Sequence, residues 1–238
     1  MGVKLPRKKH SIIWLSLIYR LQKYIPISHK LKLKIFLNLE WLFDRLAHEM
    51  SFKSYAPLEH PMRLKSKQFI LDNVTSESKV LDLGCNLGDI SFIIAEKAKE
   101  VIGIDYNPRS INIANKRYQK ENLKFYNIEA YEYLTQNKEQ FDILILSHIL
   151  EHLDNPKDFL IRFKDFFKEI YIEVPDFERY YLNLYRQNLG MHLLYSDDDH
   201  ITEFDRDELR ALLSSCNIEI LKSEYRYGVQ KLWCKVSK

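Results

Sequence analysis

An α/β class, a doubly wound and mostly parallel sheet with helices on both faces, follows from three observations in this 238-residue chain. Short β-branched or aromatic runs recur at 79–84, 100–105, 123–127, 141–147 and 169–174, with helical patterns between them at 88–98, 108–120, 129–136 and 155–168. Such alternation specifies parallel strands joined by crossover helices. The first strand runs directly into a glycine-rich turn, Val80-Leu-Asp-Leu-Gly-Cys-Asn-Leu-Gly88. Two last apolar runs, 218–225 and 229–236, flank Tyr227-Gly228 and predict an antiparallel hairpin that completes a seven-stranded sheet.

The elements before the sheet are helical. Residues 11–24 and 28–50 carry Leu, Ile, Phe and Trp at helical spacing and are separated by Pro26. The first fifty residues hold ten Lys or Arg against three acidic residues, although the net charge of the chain is only +3, so its basic character is local. Lys4, Arg7, Lys8 and Lys9 before Ile12-Ile-Trp-Leu-Ser-Leu-Ile18 imitate a signal peptide, but no small-residue cleavage site follows. The apolar run is also too short to span a bilayer. We therefore divide the chain into a helical appendage, 1–60, and a sheet domain, 61–238. The appendage is expected to pack as a lid over the sheet domain, with shallow docking on an anionic membrane face as the alternative.

A helix near 62–74 leads into the sheet. After the fifth strand the rhythm breaks: 178–190 is helical in pattern, 191–204 irregular, and Asp205-Arg-Asp-Glu-Leu opens a capped helix ending near Cys216. One sizeable core is what this length can bury. Three widely spaced cysteines, Cys85, Cys216 and Cys234, make neither a disulfide framework nor a metal knuckle, which points to a reducing, cytoplasmic setting.

The glycine turn is where a ligand is expected, because strand, turn and helix start present free backbone N–H groups and let a ligand approach the main chain closely. Asp105 closes the next strand, where a carboxylate can accept both hydroxyls of a ribose. Asp82, Gly84, Asn86 and Gly88 resemble the first motif of the class I S-adenosylmethionine (SAM) dependent methyltransferases, an acidic residue followed by three glycines at alternate positions. Asn86 replaces the middle glycine and is the non-glycine residue best suited to a left-handed backbone. The resemblance covers about 65–236 and implies a Rossmann-like sheet with an antiparallel tail.

It also implies site residues. Asp82, Gly84, Cys85, Asn86 and Gly88 take the methionine end of SAM; Asp105 and Tyr106 take the ribose and adenine. Asn127, Glu129 and Ala130 resemble the third motif, which meets the adenine edge. For Glu129 a helix N-terminal carboxylate is the alternative. Ser147 ends the fourth strand on the cofactor side.

Ligands in open α/β sheets bind beyond the carboxyl ends of the strands, and there the sequence reads Ser147-His-Ile-Leu-Glu-His-Leu153. A helical or 3₁₀ turn from His148 would put His148, Glu151 and His152 on one face at i, i+3 and i+4. The pattern is similar to the Glu-x-x-Glu-His of some metal-assisted O-methyltransferases, in which a downstream histidine completes the site; His200 has that place here. These four are the candidate catalytic residues, acting as bases, as substrate contacts or as ligands of a divalent ion. The tyrosines Tyr171, Tyr180, Tyr181, Tyr185 and Tyr195 are candidates to line an acceptor site.

By resemblance to methyltransferases of bacterial capsule and lipopolysaccharide biosynthesis, methyl transfer to an oxygen, rather than a nitrogen, of a small molecule or glycan precursor is expected. A metal-assisted RNA 2′-O-methyltransferase and a non-enzymatic SAM-fold scaffold are the alternatives. Nucleic acid is disfavoured, since no arginine-rich tract with stacking aromatics accompanies the second half. The acceptor and the oligomeric state are not written in the sequence.

Overall fold

Hydrophobic runs of five residues, each buried on both faces, build the centre of the molecule. In the computed structural model, which describes residues 13–137, 140–192 and 199–237, the strands are β1 (Lys79–Leu83), β2 (Glu100–Ile104), β3 (Leu123–Tyr126), β4 (Ile143–Ser147), β5 (Glu169–Pro175), β6 (Ile218–Arg226) and β7 (Val229–Val236). They form one sheet in the order β3-β2-β1-β4-β5-β7-β6. The first five are parallel; β7 inserts antiparallel between β5 and β6. Strand order reverses between β1 and β4, so a crevice opens at the carboxyl ends of these two neighbours.

Alternate residues of each strand feed two separate cores. Leu81, Ile102, Leu144 and Ile172 face one side, while Val80, Val101, Ile145, Tyr171 and Trp233 face the other, as the two-residue period of a strand requires. Helices α1 (Ile13–Leu21) and α2 (His29–Ser54) come first, and the covering helices are α3 (Pro61–Leu71), α4 (Asp89–Ile94), α5 (Pro108–Arg117), α6 (Ala130–Asn137), α7 (Pro156–Phe163), α8 (Tyr181–Asn188) and α9 (Arg206–Ser215). Their starts are encoded locally. Asn107 and Asn155, each just before a proline, accept from the Arg109 and Asp158 N–H groups of the first turn that follows, and Asp205 with Glu208 closes a capping box.

Several expected boundaries shift, each for a local reason. The fourth strand begins at Ile143, not at 141, because Asp142 leaves the ladder to accept from the Lys79 N–H at 2.9 Å and from Lys168 Nζ at 2.7 Å. The helix expected over 155–168 ends at Phe163 and tightens into a 3₁₀ turn at 164–166, and that over 178–190 is a 3₁₀ turn followed by α8. The turn expected from His148 is a 3₁₀ turn that starts later, at Leu150–His152, because the φ of 56° at His148 is left-handed. The hairpin turns where expected, with φ of 58° at Tyr227 and 86° at Gly228, the geometry that matches the twist of paired strands.

The boundary expected at residue 60 falls between α2 and α3. Helix α2 reaches the rest of the chain through α8, where Arg186 donates to the Leu37 carbonyl at 2.9 Å and to Glu40. Tyr180 donates to Asp44 at 3.0 Å. The basic residues 1–12, Tyr195 and 196–198 lie outside the described residues.

Candidate active site

The glycine turn owes its shape to residues that occupy the left-handed region at alternate positions. Gly84, Asn86 and Gly88 have φ of 72°, 47° and 82°, so Asn takes the conformation that glycine takes elsewhere in the motif. The Gly84 and Cys85 N–H groups both donate to the Ile104 carbonyl, at 2.8 and 3.0 Å. Side chains are excluded on both flanks: a Cβ on Gly84 would strike Ile149 Cδ1, and one on Gly88 would lie 2.6 Å from Phe125 Cζ. The first of these contacts puts the turn after β1 directly against the segment that follows β4.

Two buried carboxylates stand at this turn. Asp105 accepts from the Asn86 N–H at 2.9 Å and from the Asn107 N–H at 2.8 Å, one on each oxygen. A carboxylate has about four acceptor sites, so two remain for a diol. Asp82 accepts from Ser91 Oγ at 2.5 Å; burial raises its pKa to about 7, with the bonds to Ser91 opposing and the charge of Asp105 adding to the rise. A turn holding two like charges out of water fits a cationic ligand, and SAM brings a sulfonium and an ammonium group. Tyr106, 89 % exposed, stands beside Asp105 with an open ring face.

The third-motif residues are arranged less decisively. Asn127 Nδ2 donates to the Asp105 carbonyl at 2.8 Å. Glu129 accepts from the Glu132 N–H at 2.9 Å at the start of α6, the helix-terminal role that its alternative reading described. Ala130 is buried. A cavity of about 370 Å³ beside β2 and β3 shares only Asn127 with the expected cofactor residues. It lies on the flank of the sheet, away from the β1/β4 crevice.

Beyond β4 the left-handed kink at His148 replaces the expected helical face. The His148 N–H still donates to the Glu173 carbonyl at 2.8 Å, and its ring lies between two carboxylates: Nδ1 is 2.8 Å from Glu151 Oε1 and Nε2 is 3.5 Å from Glu173 Oε1. Burial disfavours the charged ring, but the hydrogen bonds and charges of the two carboxylates outweigh it and lift the pKa to about 10. The ring keeps 42 % of its side-chain surface, so solvent moderates the size of this effect and not its sign.

Glu151 is fully buried, and its Oε2 has no hydrogen-bond partner among the described residues. Backbone bonds bring the downstream histidine to it, since the Ile201 and Thr202 N–H groups donate to the Glu151 carbonyl at 2.8 and 3.1 Å. His152 and His200 then meet with ring centroids 4.8 Å apart. One ligand atom from each of Glu151, His152 and His200 lies within 4.8 Å of the others. Of the four expected ligands, His148 therefore stands apart: it bonds Glu151 and does not join the group of three. His200 Nδ1 is 2.9 Å from Glu203 Oε1 and His152 Nδ1 is 3.2 Å from the Asp199 carbonyl, the kind of outer contact that orients a ligating imidazole. A nitrogen and oxygen donor set with an unsatisfied buried carboxylate oxygen fits a divalent cation.

Glu173 escaped the sequence reading. It accepts from Ser66 Oγ at 2.8 Å and from the Tyr171 hydroxyl as well as facing His148; burial works against its charge, yet these bonds hold its pKa below the usual carboxylate range. The available signal was an acidic residue inside a buried apolar strand, which folds do not tolerate without partners. Tyr171 is wholly buried in the sheet core and does not line an acceptor site. Ser147 is half-buried at the end of β4, paired with Glu173.

The family described as "Methyltransferase domain" matches residues 46–223. The ubiquinone biosynthesis O-methyltransferase of Coxiella burnetii is 32 % identical over 102 residues, which cover 42 % of this chain and 42 % of that protein. An uncharacterized RNA methyltransferase of Mycoplasma mobile is 40 % identical over 80 residues, covering 32 % of this chain and 22 % of the relative. These matches span less than half the length of either relative. Among solved structures, magnesium protoporphyrin IX methyltransferase from Synechocystis with bound SAH has a TM-score of 0.55 at 15 % identity, covering 73 % of this chain and 81 % of that one.

Proposed function

The chain belongs to the methyltransferase-domain family, with the class I SAM-dependent fold, and from this premise we propose that it moves a methyl group from SAM to an oxygen, rather than a nitrogen, of a small molecule or glycan precursor. The observation that carries the reading is the buried Glu151 oxygen, without a hydrogen-bond partner among the described residues, on the segment that touches the glycine turn and beside His152 and His200. The half-exposed His152 imidazole can take a proton from an acceptor hydroxyl, with the Glu151 carboxylate beside it offsetting the charge that results.

On this reading Asp82, Gly84, Cys85, Asn86 and Gly88 receive the methionine end, Asp105 the ribose hydroxyls, and Tyr106, Asn127, Glu129 and Ala130 the adenine. SAM supplies an electrophilic methyl group. What the chain must add is an acceptor oxygen held in line and stripped of its proton. His148 is a positioning residue, because both its ring nitrogens face carboxylates. Glu151, His152 and His200 remain to take the proton. The same three would hold a divalent ion, which would lower the pKa of an acceptor hydroxyl and suits Zn²⁺ or Fe²⁺ through its imidazoles. Three buried, unpaired cysteines support a cytoplasmic site of action.

The test uses methyl-labelled SAM with the small-molecule and RNA fractions of the source cells. Label is expected in the small-molecule fraction as an ether methyl. It should vanish with Glu151→Gln while calorimetric binding of S-adenosylhomocysteine is kept. Label confined to nuclease-sensitive material would replace this reading with the RNA one.

A further inference from the structure

We propose that α1 and α2 form a docking surface for an anionic phospholipid bilayer, lying in the interface and not across it. The two sides of α2 differ. One side, through Leu37, Glu40 and Asp44, is fixed to the body by Arg186 and Tyr180. On the opposite side Leu31, Ile35, Leu39, Leu42, Leu46 and Met50 recur every three or four residues, which makes one continuous stripe on a helix. All six are exposed.

Helix α1 extends the same character, with Leu17, Ile18 and Leu21 exposed and Tyr24 just beyond it 83 % exposed. Lys32 donates from Nζ to the Gln22 carbonyl at 2.7 Å, which ties the link after α1 to the first turn of α2. Most of the exposed large apolar side chains among the described residues fall between Leu15 and Tyr55. A contiguous apolar surface of this extent marks a contact with another phase or molecule.

Charge selects the occupant. Arg20, Lys23, Lys30 and Lys34 lie along these helices, and Lys4, Arg7, Lys8 and Lys9 precede them in the sequence. The few acids are turned to other work: Glu40 and Asp44 meet Arg186 and Tyr180, and Glu49 pairs with Lys53 at 2.5 Å. The charge bordering the stripe is therefore positive, which complements anionic headgroups and opposes the approach of a second copy of the same face. Among the described residues no helix is long and apolar enough to cross a membrane, so the helices lie in the plane of the surface. Because α2 holds α8 through Arg186, a bilayer that fixes α2 also fixes the segment following β5.

Co-sedimentation of the full chain with phosphatidylcholine vesicles, with and without phosphatidylglycerol, tests this. Binding should be about tenfold or more stronger with phosphatidylglycerol and weaken with salt, since each basic residue near such a surface adds about 1 kcal/mol. The triple variant Leu39→Gln, Leu42→Gln, Leu46→Gln alters only exposed side chains and should keep S-adenosylhomocysteine binding while losing vesicle binding by at least about tenfold. Lys30→Glu with Lys34→Glu should remove the preference for phosphatidylglycerol. Wild-type binding in the triple variant, or no binding to either vesicle, would overturn the proposal. So would a dimer in sedimentation velocity that the triple variant dissolves without any vesicle binding, which would give the surface to a second copy.

Discussion

Replacing Asp105 with alanine removes a carboxylate that is buried at the tip of β2 and has, beyond its two backbone partners, lone pairs left for a ribose. A hydrogen bond to a charged acceptor is worth about 1.5–3 kcal/mol when its partner is otherwise left unsatisfied, and two bonds that share one carboxylate give roughly 2–4 kcal/mol. At 1.36 kcal/mol per decade this weakens S-adenosylhomocysteine binding by about 30- to 1,000-fold. The substitution also frees the N–H groups of Asn86 and Asn107. Both residues are exposed, so water replaces the lost partner and the stability cost stays near 1 kcal/mol, about 2–4 °C in Tm for a chain of this size. Isothermal titration calorimetry beside a thermal melt separates the two effects. Wild-type affinity in Asp105→Ala would refute the ribose assignment, and a Tm loss several times larger would show that the bond to Asn86 holds the whole turn.

Asp82 gives a pH prediction. Its folded pKa of about 7 lies above the ordinary carboxylate value, so its contribution to stability is fully present below pH about 4 and is lost as pH rises through about 7. A cationic ligand favours the carboxylate: SAM affinity should rise over the same interval, and calorimetry near pH 6 in buffers of different ionisation enthalpy should show most of one proton released per SAM bound. No proton release would contradict the charge argument. Gly88→Ala forces a left-handed residue, at about 1–2 kcal/mol, and pushes on the Phe125 ring between Gly88 and Gly103; a loss of about 2–4 kcal/mol in urea unfolding is expected, and a loss below 1 kcal/mol would mean that the ring swings aside freely. If a divalent ion is held by Glu151, His152 and His200, chelation should abolish turnover, and elemental analysis of His152→Ala should show its loss while S-adenosylhomocysteine binding persists; turnover unchanged by chelation would leave the three as proton-handling groups alone.

The local patterns of this chain were legible because they depend on near neighbours. Apolar runs of strand length, the capped helix start at Asp205 and Tyr227-Gly228 act within a few residues, and the sheet, with its antiparallel tail, follows from their order. The glycine turn was equally local: Gly84, Asn86 and Gly88 take left-handed conformations that their residue types permit. The His148 kink was not legible, because a histidine has no intrinsic reason to adopt a φ of 56°; the backbone bond to Glu173 on the neighbouring strand and the closure of its ring between Glu151 and Glu173 impose it. Helical spacing gave the right contact between His148 and Glu151 for a different geometric reason, and it joined His148 to a group that contains only Glu151, His152 and His200. What sequence alone determined is the fold and the shape of the glycine turn, since those rest on backbone preference and hydrophobic period. Tertiary structure decided which carboxylate lies against which imidazole, because that depends on strands 26 residues apart in sequence, from Ser147 to Glu173, meeting in register.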